Sequence, residues 1–150
     1  MTVIGTPLKR REDPKLLTGE GKYVDDLHAP GELWMGMVRS TMAHATINGV
    51  DTSAAVGMPG VHAVYTGSQL MGMGLWAAPL PCAWVVTPDM VNPPHYPVAD
   101  TEVHHVGEIV AVVLAETRAQ ATDAAEQVVV DYAPLPAVSS IAAARTDAAI

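Results

Sequence analysis

Apolar and polar positions along this chain fall into short runs, and the densest of them lies within residues 102–136. Ile109-Val110-Ala111-Val112-Val113-Leu114-Ala115 contains no polar residue, the pattern of a strand covered on both faces. Thr117-Arg118-Ala119-Gln120 follows in capping-box form. The Thr117 hydroxyl can accept from the Gln120 backbone N–H, and the Gln120 side chain can reach back to the N–H of Thr117. Ala121, Ala124, Ala125 and Val128 then fall at i, i+3, i+4 and i+7, a stripe of small side chains that predicts a helix lying close against a sheet. Val128-Val129-Val130-Asp131-Tyr132 predicts another strand, stopped by Pro134 and Pro136, which cannot donate to a ladder. A strand, a helix and a strand so tightly joined predict a right-handed crossover with the two strands parallel. The segment reads as a core, not a catalytic site.

Upstream, residues 33–40 alternate, with Leu33, Met35 and Met37 on one side and Trp34, Gly36 and Val38 on the other, which predicts a half-buried strand. A second short strand is predicted over residues 45–50. Asp51 then suits the N-cap of a short helix over residues 52–56, ended by Gly57 and Pro59. Val61-His62-Ala63-Val64-Tyr65-Thr66 returns as a strand after the Pro59-Gly60 turn. The order strand, short helix, strand thus occurs early and in a longer version late, with too little residue identity for a repeat.

The remaining stretches lack such a period. Residues 1–32 are rich in Gly, Pro and charge and read as an extended arm with turns at Glu12-Asp13-Pro14, Gly19 to Gly21 and Ala29-Pro30-Gly31. Leu16, Leu17 and Tyr23 are too few to bury themselves, so the arm is expected to need a partner surface. Residues 71–98 hold Gly72, Gly74, Pro79, Pro81, Pro88, Pro93, Pro94 and Pro97, yet Leu75, Trp76, Leu80, Trp84, Val85 and Val86 are costly to leave in water. An ordered loop packed on the sheet or on a neighbouring domain is expected, with a short strand over residues 83–87. Residues 139–150 are Ala-rich and read as the start of a linker to a missing region.

Composition narrows the function classes. The 150 residues form one domain's worth of chain, able to bury about two thirds of the surface its unfolded form exposes. Sixteen acidic against eight basic residues give a net charge of −8, with no basic patch beyond Lys9-Arg10-Arg11, which argues against nucleic-acid or anionic-membrane binding. The single cysteine, Cys82, excludes an internal disulfide, a CxxC redox pair and an iron–sulfur cluster held by cysteines of this segment. No apolar run has the length of a membrane span and the N-terminus lacks signal-peptide form, so the expected location is cytoplasmic.

Each candidate for chemistry has a plainer reading. Gly72-Met73-Gly74-Leu75-Trp76-Ala77 matches G-x-G-x-x-A, but a dinucleotide turn needs a helix after it and Pro79 and Pro81 prevent one. His104-His105 with Glu108 suggests a metal site, although on a strand His104 and Glu108 would stand roughly 13 Å apart at about 3.3 Å per residue. Gly107 could hold a bulge that bends the chain. A strand-edge or domain-interface role is favoured for the pair. His28, His44, His62 and His95 stand singly and read as surface or loop histidines. Met35-Gly36-Met37 and Met71-Gly72-Met73 read as packing rather than copper ligation. Cys82 has no His, Lys or Arg nearby in sequence to lower its pKa, and no serine lies in G-x-S-x-G context. No catalytic, cofactor-binding or metal-ligating residue is assigned.

A family resemblance adds to this. Arg11-Glu12-Asp13, Leu16-Leu17-Thr18-Gly19, Gly21-Lys22-Tyr23, Val38-Arg39-Ser40, Ala43-His44-Ala45, Asp51-Thr52-Ser53-Ala54, Pro59-Gly60-Val61 and Val64-Tyr65-Thr66-Gly67 occur in the order seen at the start of molybdenum hydroxylase large subunits. Val106-Gly107-Glu108, Asp123-Ala124-Ala125-Glu126 and Leu135-Pro136-Ala137-Val138 continue the likeness. Most of residues 4–144 thus resembles the xanthine dehydrogenase and aldehyde oxidase family. Pro81-Cys82-Ala83-Trp84-Val85-Val86-Thr87-Pro88-Asp89-Met90 and Pro93-Pro94-His95 look most like its carbon monoxide dehydrogenase-like branch.

The resemblance implies an α+β fold, the α/β-hammerhead, with a mixed sheet and two crossover helices over residues 33–138. It implies an oxidoreductase in which molybdenum-molybdopterin, in its cytosine dinucleotide form, is bound outside this segment. The implied partners are the molybdopterin-binding domains of the same subunit and the iron–sulfur and flavin subunits. The segment itself is then an inactive scaffold and a fragment. Two other readings stay open: a stand-alone, non-catalytic binding or assembly module, and a small enzyme using the His104-His105-Glu108 neighbourhood.

Overall fold

The computed structural model describes residues 4, 5, 7, 9–76, 78–83, 87, 88, 90 and 92–146. They divide into two compact units, Met1–Glu32 and Leu33–Ile150. The first carries a one-turn helix α1, Asp13–Leu17, and a 3-10 turn over Val24–Asp26. Proline near the start of α1 suits a position whose N–H would lack an intrahelical acceptor. Leu17 and Tyr23 are exposed.

The second unit is built from two three-stranded sheets, both wholly antiparallel. In the first, β1 (Trp34–Arg39) and β3 (Val61–Thr66) flank β5 (Ile109–Ala115). In the second, β4 (Glu102–Val103) and β6 (Val129–Pro134) flank β2 (Ala45–Asp51). Five of these strands stand where the alternation and the apolar runs predict them, β4 is a short strand that no local pattern announced, and the α+β class holds. Their pairing corrects two expectations: neither sheet is mixed, and β6 does not lie parallel beside β5. A strand has two edges, and β1 and β3 occupy both edges of β5, so β6 pairs with β2 instead.

Two helices cross between the sheets. The short α2, Ser53–Val56, leads from β2 to β3, and α4, Arg118–Glu126, leads from β5 to β6. Thr52, not Asp51, occupies the N-cap position of α2, while Asp51, the last residue of β2, accepts the Ser53 N–H on its Oδ1 at 2.9 Å. Thr117 caps α4 through its hydroxyl, 3.3 Å from the Gln120 N–H. The reciprocal half of the capping box is replaced: Gln120 Oε1 accepts from the Thr117 hydroxyl instead of its backbone. Ala121 and Ala124 are buried where α4 crosses β1 and β5.

The main core gathers Val38, Ala45, Val64, Val103 and Val113 from both sheets, with Ala55 and Ala124 from the two crossing helices and Val128 from the link between α4 and β6. Val112 faces the other way, into a second cluster with Leu70 and Val98. Leu70 belongs to α3, Gly67–Gly72, a helix that the alternation did not predict. Its signal was present nonetheless. Thr66 and Gln69 form a full capping box, the Thr66 hydroxyl accepting from Gln69 N–H at 3.3 Å and Gln69 Oε1 from Thr66 N–H at 3.0 Å.

The long irregular segment returns to the sheet through Val98, whose neighbour Ala99 donates its N–H to the Ile109 carbonyl at 2.7 Å. Leu75, Trp76 and Leu80 are exposed and so do not pack on the sheet, where Leu70 and Val98 cover Val112. The strand expected over residues 83–87 falls largely outside the described residues. After β6 the chain forms a further single turn of helix, α5, Ile141–Ala144, capped by Ser140.

Candidate functional site

Chemistry-bearing side chains meet at one end of the second sheet. His44 stands just before β2, Glu102 opens β4, and residues 104–108 turn back from β4 towards β5. Gly107 makes that turn possible with φ +91°, where a Cβ would be strained. The turn overrides the separation expected from an extended strand. Glu108 carboxylate lies 2.5 Å from the His104 backbone N–H and 3.6 Å from the Nδ1 atoms of both His104 and His105.

His44 is buried, at 9% exposure, and is not the surface histidine its isolation in sequence suggested. Its Nδ1 stands 2.6 Å from the Pro136 carbonyl oxygen and its Nε2 2.6 Å from Glu102 Oε1. The His104 ring stacks on it with centroids 6.1 Å apart, while its Nε2 lies 3.8 Å from the same Glu102 oxygen. His95 approaches His105, centroid to centroid, at 5.8 Å. The Pro136 carbonyl first, and then the Glu102 carboxylate, hold the His44 pKa above the ordinary histidine value. His62 is remote from this cluster and sits 3.5 Å from Glu116.

The cluster is paired internally, with the His44 ring hydrogen-bonded on both sides and the exposed His104 and His105 rings near the carboxylates. Both His44 nitrogens are engaged, Glu102 serves two imidazoles, and Glu108 takes a backbone N–H and two imidazoles. Among the described residues, no group of three or more His, Cys, Asp or Glu could hold a metal ion. At the G-x-G segment, Gly72 ends α3 and, among the described residues, no helix opens directly after Gly74. An open cleft of about 460 Å³ borders the paired rings, walled by Ala43, Pro93, Ala137, Val138 and Ala144. No helix among the described residues is long and apolar enough to cross a membrane.

Residues 18–136 match the family described as aldehyde oxidase and xanthine dehydrogenase, a/b hammerhead domain. The large subunit of nicotine 6-hydroxylase from Paenarthrobacter nicotinovorans is 42% identical over 84% of this chain and 15% of its own length. The carbon monoxide dehydrogenase large chain of Hydrogenophaga pseudoflava is 39% identical over 93% of this chain and 16% of its own. Among solved structures, quinoline 2-oxidoreductase from Pseudomonas putida 86 superposes with a TM-score of 0.83 at 40% identity, over 94% of this chain and 17% of that one. The Cu,Mo-CO dehydrogenase follows the same path with a TM-score of 0.80 at 38% identity, over 93% of this chain and 16% of that one. The chain therefore spans about one sixth of the length of these relatives. Sequence and backbone agree over the same residues, and the chain belongs to the aldehyde oxidase and xanthine dehydrogenase family of molybdenum hydroxylases, whose α/β-hammerhead domain it forms.

Proposed function

We propose that this chain is the scaffold domain of a molybdenum hydroxylase large subunit and carries no active site of its own. The observation that supports this is the internal pairing of its candidate chemistry: His44 bonds Glu102 and Pro136, Glu108 accepts from the His104 backbone N–H, and the His104 ring lies 3.8 Å from Glu102 and 3.6 Å from Glu108. The molybdopterin group, in its cytosine dinucleotide form, is then bound by further polypeptide of the same subunit, and residues 139–150 begin the linker towards it. Iron–sulfur and flavin subunits complete the electron path of a cytoplasmic enzyme that oxidises carbon monoxide or inserts oxygen into a C–H bond of an aldehyde or heterocycle.

Two measurements test this reading. Elemental analysis of the purified 150-residue chain is expected to find no stoichiometric molybdenum, and assays with carbon monoxide, aldehydes and N-heterocycles no turnover. Co-expression with the remaining large-subunit domains and the iron–sulfur and flavin subunits of a relative is expected to recover a complex containing it. Tightly held molybdenum in the isolated chain, or failure to associate, overturns the scaffold assignment.

A further inference from the structure

The His44 ring lies between two groups that only accept hydrogen bonds. The Pro136 carbonyl has no proton to give, so Nδ1 must donate across the 2.6 Å contact. An ionised Glu102 carboxylate likewise accepts, so Nε2 must donate across the other 2.6 Å contact. A neutral imidazole has one N–H and can serve only one of them. Moving the second proton onto Glu102 leaves the count unchanged, because the pair then holds it as O–H···N. The arrangement therefore stores one proton more than neutral histidine beside an ionised carboxylate.

What that proton secures is the segment after β6. Leu135 donates its N–H to the His44 carbonyl at 3.0 Å, and the His44 ring grips the next residue through the Pro136 carbonyl. One residue thus holds two successive positions, by backbone and by side chain. Beyond them, Ala137, Val138 and Ala144 wall the cleft beside the His44 and His104 rings, while Val138 and Ile141 are exposed. Little apolar burial competes with the His44 grip in holding these residues.

We propose that His44 is a proton-operated latch: with both ring nitrogens protonated it ties residues 135–146 to β2 and β4, and loss of one proton releases them.

The charges facing the ring set the direction of the switch. Glu102, from β4, stands against Nε2 and favours the proton. His104, from the turn after β4, stacks on the ring and would oppose it when charged, but Glu102 and Glu108 lie 3.8 and 3.6 Å from the His104 nitrogens. His105 shares Glu108, and His95 lies behind His105. The latch is accordingly closed on the acid side of the His44 midpoint and opens as pH rises through it. The ring's raised affinity for protons agrees with this direction.

Side-chain 15N NMR of the intact chain, titrated from acid to alkaline pH, reads the protonation state of each histidine nitrogen. Both His44 nitrogens are expected to carry protons on the acid side of a midpoint that lies above the ordinary value of about 6.5. Hydrogen exchange at the Leu135 amide, corrected for base catalysis, should lose protection about tenfold per pH unit above that midpoint. The Val112 amide of β5 should not follow. Glu102→Gln should move the midpoint down, and His44→Gln should abolish the pH dependence at Leu135. If His44→Gln does not fold, the Glu102→Gln titration still decides. A His44 midpoint at or below the ordinary value of about 6.5, or unchanged protection at Leu135 across the midpoint, overturns the latch.

Discussion

Ala121 of α4 rests its backbone directly on Gly36 of β1. A Cβ built at Gly36 would stand 2.9 Å from the Ala121 carbonyl carbon and closer still to its oxygen. Gly36 pairs with Val113 at the centre of β5, so this contact sets how near the crossing helix comes to the first sheet. Small residues on both sides produce it: the alanine stripe of α4 meets the one residue of β1 that lacks a side chain.

Gly36→Ala should therefore push α4 off the sheet and cost about 1–3 kcal/mol, the range for overpacking. Gly49→Ala, on β2, has nothing within 4 Å of the new Cβ and should change stability by no more than about 0.5 kcal/mol. Urea unfolding of the two variants checks the contrast. Equal losses would show that the close approach at Gly36 does not govern the packing.

Val113 is fully buried and Val129 is 64% exposed, although both occupy β-rich apolar runs. Val113→Ala should cost about 2 kcal/mol from lost burial and the cavity left behind. Val129→Ala should stay within about 0.5 kcal/mol. A similar cost at both positions would contradict the placement of β5 at the centre of its sheet and β6 at the edge of the other.

Stability should pass through a plateau bounded by two named groups. The folded chain raises the His44 pKa, so its contribution is complete below the unfolded value of about 6.5 and is lost as pH rises through the higher folded value. Asp51 works in the opposite sense. Ser53, through its side chain and then its backbone N–H, holds the Asp51 carboxyl below its ordinary 3.8, so its contribution is present above that pH and fades as pH falls through the folded value. Melting temperatures measured across pH should show His44→Gln flattening the alkaline fall and Asp51→Asn flattening part of the acid one. A His44→Gln profile that matches the parent would remove His44 from the alkaline fall.

The local pattern determined a good deal by itself. The apolar run of β5, the alternation of β1, the cap at Thr117 and the small stripe of α4 are each written within a few residues, because periodicity and capping depend on neighbours in sequence. The family likeness was legible in the same way, as ordered short motifs along most of the chain. The helix α3 was legible too, in the Thr66–Gln69 box, although Gly67 and Gly72 at its two ends are poor helix formers.

Tertiary structure decided the partners. Periodicity shows which face of a strand is buried and says nothing about which strand lies at its edge, so the pairing of β6 with β2 emerged only once β1 and β3 had taken both edges of β5. The same holds for the polar cluster. His44 meets Glu102 across 58 positions and Pro136 across 92, and no local pattern can announce a hydrogen bond between residues that only folding brings together.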